Sequence, residues 1–209
     1  MGAPETGSIN VDIEARQAHV VGSQPRILPL RHDEANDEAR RVVGRLRDSA
    51  GSTQTGGLPE YMRTMLKHPK LFRCQMEMGT AVFQGLVPPR ERELAVLRVG
   101  WLCRAPYEWG EHVVIAKRCG LGTEDIERIT AGSSAAGWSE HERAILRGVE
   151  ELLADHALSD ATWEILAKSW SEAQLIEFTM MVGQYVATAF IQNSLRVRLA
   201  PENPGLSLR

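Results

Sequence analysis

Helix punctuation most constrains what this chain can fold into. Ser139 with Glu142, and Ser171 with Gln174, have capping-box spacing: a hydroxyl caps the third helical N–H, and the acid or amide reaches back. Ser159 stands where it can cap "DATWEILAKSW", and Thr123 where it can cap a short helix with Glu124 and Asp125 in its first turn. Pro69, the Pro88–Pro89 pair and Pro106 each suit the start of a helix, and Gly120 suits an end. No stretch shows the apolar–polar alternation of a strand. These starts and stops divide the chain into roughly eight helices, so the expected fold class is all-α, a helical bundle.

The expected helices run over "DEANDEARRVVGRLRDS" (33–49), "LPEYMRTMLKHP" (58–69), 69–85, 87–104, Pro106 to about Arg118, a short one after Gly122, Ser139 to about Ala154, a short one after Ser159, and Ser171 to about Val197. "AGSTQTGG" reads as a loop. Residues 1–30 carry Pro4, Pro25 and Pro29 with little periodicity, and are expected to form an extended N-terminal arm before a single helical domain over 31–200.

The 209 residues, 43% hydrophobic and 24% charged, suffice for one globular domain whose core needs neither disulfides nor a structural metal. The net charge of -3, with basic residues scattered among acids, favours neither nucleic acid nor an anionic membrane as partner. The most apolar stretch, "FTMMVGQYVATAFI", is too short to span a bilayer and contains Gln184. Cys74, Cys103 and Cys119 form no C-x-x-C pair. Reduced thiols in a cytoplasmic protein are the expectation. No H-E-x-x-H occurs and the ligands in view are too few for zinc, so no metal and no cofactor is expected.

The chemistry-bearing stretch is "RAPYEWGEHVVIAKRCGL". Glu108 and His112 are four apart on one helical face, which continues through Ile115, Ala116 and Cys119 and should turn inward. A carboxylate beside an imidazole fixes its tautomer and raises its basicity, as a general acid or base requires. The plain alternative is a helix-start glutamate satisfying a core histidine. Tyr107 and Trp109 are then packing residues, and Arg98 an ion-paired side chain. His19, His32, His68, His141 and His156 have no such partner and are expected at the surface.

"PPRERELAVLRVGWLCRAPYEWGEHVVIAKRCGLGTEDIERI", with "VGQYVATAFIQNSL" as a second block, resembles the carboxymuconolactone decarboxylase family, which includes the alkylhydroperoxidase D-like proteins. The resemblance implies a helical homo-oligomer acting on a small molecule. The peroxidase branch carries C-x-x-C-x-x-x-H and an upstream glutamate. Its histidine falls on His112, its second cysteine on Glu108, its first on Ala105 and its glutamate on Glu93. Without both thiols, dithiol peroxidase chemistry loses its attacking and resolving groups. The resemblance therefore implies proton transfer by a decarboxylase, lyase or isomerase, with His112, Glu108 and Glu93 as catalytic candidates. Tyr107, Arg98, Trp109 and Tyr185 become substrate-binding candidates, Arg98 by pairing with a carboxylate. The alternatives are a peroxidase or redox sensor using Cys103 or Cys119, and a non-catalytic binding module.

Overall fold

The computed structural model describes residues 12–31, 34–42 and 58–209. The expected all-α class is what it shows: there is no strand among the described residues. Among the described residues, the α-helices seen from end to end are α1 (Ile13–Val21), α2 (Glu60–Met65), α3 (Pro69–Phe83), α4 (Pro89–Leu102), α5 (Pro106–Arg118), α6 (Thr123–Ala131), α7 (Glu140–Ala154), α8 (Asp160–Ala167) and α9 (Glu172–Leu195). Short 3₁₀ turns follow at Gly132–Ser134 and Gly205–Ser207. The helix expected over 33–49 is seen as 37–42. Residues 34–36 are not α-helical, while residues 33 and 43–49, the expected loop at 50–57, His32 and the first eleven residues of the arm lie outside the described residues.

The arm needs correction. Residues 13–21 are helical, with the Asp12 carboxylate accepting from the Ala15 N–H at 2.9 Å. Pro25 and Pro29 lie beyond the helix and do not break it. α1 packs against α5, α9 and the Gly205–Ser207 turn. That turn belongs to the core too, for Leu206 is fully buried. Another correction is small: Gly122, not Thr123, caps α6, its N–H donating to Asp125 Oδ2 at 3.3 Å.

α4 is the hub. It packs on α5, α6, α7 and α9, and every residue from Arg92 to Trp101 is buried. A helix enclosed on all sides must pair the charges it carries. Arg92 donates to Glu93 Oε1 at 2.9 Å and to the Phe83 carbonyl, while Arg98 donates to Glu150 Oε1 at 2.9 Å and to the Ile129 and Thr130 carbonyls. α9 keeps apolar side chains, Ile176, Met180 and Phe190 among them, exposed. No helix among the described residues is long and apolar enough to cross a membrane.

Buried apolar side chains form two clusters. The larger centres on α4, α5, α7 and α9. The smaller gathers Ala39, Val42, Met65, Leu66 and Phe72, with Tyr61, Met62 and Met76 packed against it. The candidate site lies at the seam between them.

Candidate active site

Pro106 in the first turn of α5 and Ala105 in extended backbone before it fix where the helix begins, so Tyr107 and Glu108 emerge in its first turn. Four residues on, His112 stands on the Glu108 face. Both line a cavity of about 420 Å³, within the range of about 300–1,000 Å³ typical of small-molecule sites. Its walls come from α2, α3, α5 and α9, with Met62, Met76, Phe83 and Ile115 as apolar lining and Tyr107, Tyr185 and Gln192 as polar lining.

The expected trio converges. Glu93, fully buried on α4, reaches His112 Nδ1 at 2.8 Å, and Glu108 Oε1 lies 3.4 Å from His112 Nε2. Glu93, which does not line the cavity, meets the ring at Nδ1, and Glu108, which does, stands nearer Nε2. The Tyr185 ring meets the imidazole edge-on with centroids 5.0 Å apart, which limits its rotation.

The environments push the two acids in opposite directions. Desolvation is the largest influence on Glu93 and opposes ionisation, yet hydrogen bonds and charge from His112 and Arg92 outweigh it and hold the pKa below the usual carboxylate value. Glu108 is raised, first by desolvation and then by the neighbouring acids, against the pull of His112 and of a Gln192 hydrogen bond. For His112, burial again works against the charged form, but the Glu93 bond and the charges of Glu93 and Glu108 raise it overall. Burial, with help from nearby carboxylates, keeps Tyr107 and Tyr185 protonated.

Two candidates are not brought to the cavity. Trp109 is fully buried against Trp101, at 5.1 Å between centroids, and donates its indole N–H to the Leu208 carbonyl at 2.9 Å. Arg98 is committed to Glu150 and two carbonyls, as its burial requires, and does not line this cavity. Of the histidines expected at the surface, His141 is half-buried, edge-on to Trp170 and 3.4 Å from Glu91. His68 is exposed, as expected, and its ring caps α3.

Sequence reasoning missed Tyr61, Gln75 and Gln192, which line the cavity from α2, α3 and α9. No spacing links neutral side chains on separate helices, so only the fold reveals them. Among the described residues no group of three or more His, Cys, Asp or Glu side chains is arranged to hold a metal ion.

Residues 69–151, spanning α3 to α7 and containing Glu93, Glu108 and His112, match the carboxymuconolactone decarboxylase family. Over that stretch the chain is similar to the family. Its fold is the alkylhydroperoxidase core. A peroxidase-related protein from Ralstonia eutropha JMP134 superposes with a TM-score of 0.70 at 17% identity, covering 85% of this chain and 93% of that one. A peroxidase-related protein from Silicibacter sp. TM1040 gives 0.67 at 12% identity over 97% and 96%. A debrominase in complex with 2,3,4-tribromopyrrole gives 0.65 at 17% over 84% and 91%. At these identities the likeness is one of fold. No curated protein gives a significant match. The match supports a small-molecule enzyme or a peroxidase-like role.

Proposed function

We propose that the chain is a cofactor-free proton-transfer enzyme, a decarboxylase, lyase or isomerase acting on a small organic acid or lactone. The observation that carries this reading is the two-sided hold on His112, with Glu93 at 2.8 Å from Nδ1 and Glu108 at 3.4 Å from Nε2, beside a cavity of substrate size.

Titratable groups pushed apart by their surroundings take different roles. Glu93, held ionised, orients the imidazole and stabilises its charged form. His112 presents Nε2–H to the cavity and donates its proton to a substrate oxygen or carbon. Glu108 is the partner that takes a proton from the substrate and returns it. Tyr185 and Tyr107, kept as phenols, donate hydrogen bonds to substrate oxygens. The three groups titrate as a unit, so the apparent values belong to the cluster.

Cysteine chemistry is the weaker alternative. Burial, with the Glu108 charge behind it, pushes the Cys103 thiol up to about 11, so little of the reactive thiolate exists near neutral pH. Neither Cys103 nor Cys119 lines the cavity.

The test is hydrogen–deuterium exchange and turnover across a panel of lactones and keto acids, comparing the parent with His112→Asn. A loss of about 10²–10⁴-fold is expected. The rate should rise with pH as Glu108 ionises above the usual carboxylate range, then fall as His112 deprotonates above the usual imidazole range. Undiminished turnover by His112→Asn would sink the reading.

A further inference from the structure

A second hollow, of about 320 Å³, lies where α1 meets the C-terminal end of α9, and it shares no lining residue with the cavity around His112. Arg16, His19, Arg26 and Arg196 line it beside Val20 and Phe190, and no aspartate or glutamate does among the described residues. In a chain of net charge -3, so many basic groups gathered without an acid stand out. Nor do Arg16, Arg26 and Arg196 form an ion pair with a carboxylate elsewhere among the described residues. Burial, and after it the charge of Arg104, lower the Arg16 pKa from the ordinary arginine value, so this guanidinium lacks the anion that would offset its surroundings.

The structural explanation is that arginines satisfy carbonyls at helix ends. It covers two of the three. Arg16 donates from Nε to the Arg104 carbonyl at 3.1 Å and from Nη2 to the Cys103 carbonyl at 3.4 Å, just past α4, and Arg26 donates from Nη1 to the Ser194 carbonyl at 3.0 Å. Both keep further N–H donors. Arg196 is different. Its side chain makes no hydrogen bond among the described residues, is half-buried, and lies over Gly22, where a Cβ would be 2.9 Å from its Cδ and Nη1. Its backbone closes α9 in the left-handed region, at φ 55° and ψ 50°, where glycine or asparagine is favoured and an arginine costs stability. An unpaired cation, held at a strained position and laid against a glycine in a basic pocket, is explained by a ligand rather than by the fold.

We propose that this pocket binds a phosphate monoester, its dianionic oxygens taken by Arg16, Arg26 and Arg196 and its apolar body set against Val20 and Phe190. Guanidinium forks match phosphate oxygens in both geometry and charge. The volume lies at the lower end of the small-molecule range, which suits a small ester rather than a folded partner. Bound there, the ester ties α1 and the end of α9 to the turn at Cys103, whose carbonyl already accepts from Arg16 and from Asn193, shortly before α5 begins at Pro106. The pocket is separate from the reaction cavity, so it stands whether or not His112 is catalytic.

The experiment is calorimetric titration of the full chain, near neutral pH and at low salt, with phenyl phosphate, benzoate and phenol. Phenyl phosphate is expected to bind at least about tenfold tighter than benzoate, which brings a single charge, and phenol to give no measurable heat. Arg196→Gly relieves the left-handed backbone, so its melting temperature should be equal or higher while its affinity for phenyl phosphate falls at least about tenfold. Arg26→Gln can keep the bond to the Ser194 carbonyl and serves if Arg196→Gly folds poorly, with a loss of about threefold expected from an exposed charge. His112→Asn should bind phenyl phosphate as the parent does. No binding of phenyl phosphate by the parent, equal binding of benzoate, undiminished binding by Arg196→Gly, or a loss in His112→Asn would each overturn the proposal. Phosphatidylcholine vesicles with added phosphatidate identify the source of the ester. Pelleting that depends on Arg196 assigns it to a lipid headgroup, and phenyl phosphate binding without pelleting assigns it to a soluble metabolite.

Discussion

The bond between Glu93 and His112 spans 19 residues of sequence and joins two helices, and it sets the proton affinity of the site. In Glu93→Gln the hydrogen bond can persist, but the charge that favours imidazolium is gone while burial, which opposes it, remains. The His112 pKa should drop. The basic limb of the pH–rate profile should shift to lower pH, with a matching shift of the His112 ring resonances in an NMR titration. A merely structural Glu93 would leave both unmoved. Linkage gives a stability counterpart. The raised His112 stabilises the fold below its unfolded pKa, and that contribution disappears as pH rises through its folded value. The lowered Glu93 stabilises above the unfolded carboxylate value, and loses that contribution as pH falls through its folded value. Glu108 and His112 were legible because helical spacing stacks residues four apart. Glu93 came from family resemblance alone. Trp109 shows why proximity in sequence misleads: one residue past Glu108 turns a side chain about 100° around the helix, here into the core.

At the scale of elements, capping signals served well because they are local. Ser139, Ser159 and Ser171 cap α7, α8 and α9 through their hydroxyls, as their spacing implied. α1 was not legible because its stabilisation comes from packing on α5, α9 and the C-terminal turn, partners distant in sequence. The close fit of that C-terminal segment is testable at Gly110. A Cβ there would sit 1.7 Å from Asn203 Oδ1, which accepts from the Gly205 N–H at 2.8 Å, while Asn203 Nδ2 donates to Glu111 at 3.0 Å. Gly110→Ala gains about 1 kcal/mol of helix propensity. It costs about 1–3 kcal/mol of overpacking and roughly 1 kcal/mol for each Asn203 bond displaced. The losses win. A melting temperature lower by several degrees is expected at roughly 2–4 °C per kcal/mol, with faster amide exchange confined to residues 197–209. Unchanged exchange there would show that Asn203 simply swings aside.

For the whole molecule, the informative feature is what α9 leaves uncovered. Ile176 and Met180, 65% and 49% exposed, stand four apart on one face. Beside them lies the turn between α3 and α4, tied to α9 where Glu177 accepts from the Leu86 and Val87 N–H groups and Gln174 donates to the Leu86 carbonyl. Leu86 in that turn and Phe83 just before it are exposed too, at 62% and 45%. Exposed apolar groups that cluster like this mark an interaction surface. The homo-oligomer expected from the sequence would bury them against a second copy. Phe83 belongs both to this surface and to the cavity lining, so a partner seated there would also border the way into the site. Ile176→Glu/Met180→Glu separates assembly from folding, because exposed positions tolerate substitution within about 0.5 kcal/mol each. In sedimentation velocity the parent should exceed the 23.2 kDa of one chain, and the variant should sediment as a single chain with its helical content intact. A parent that stays monomeric at tens of micromolar would remove the oligomer. A dissociated variant with full activity would keep the oligomer but detach it from the cavity.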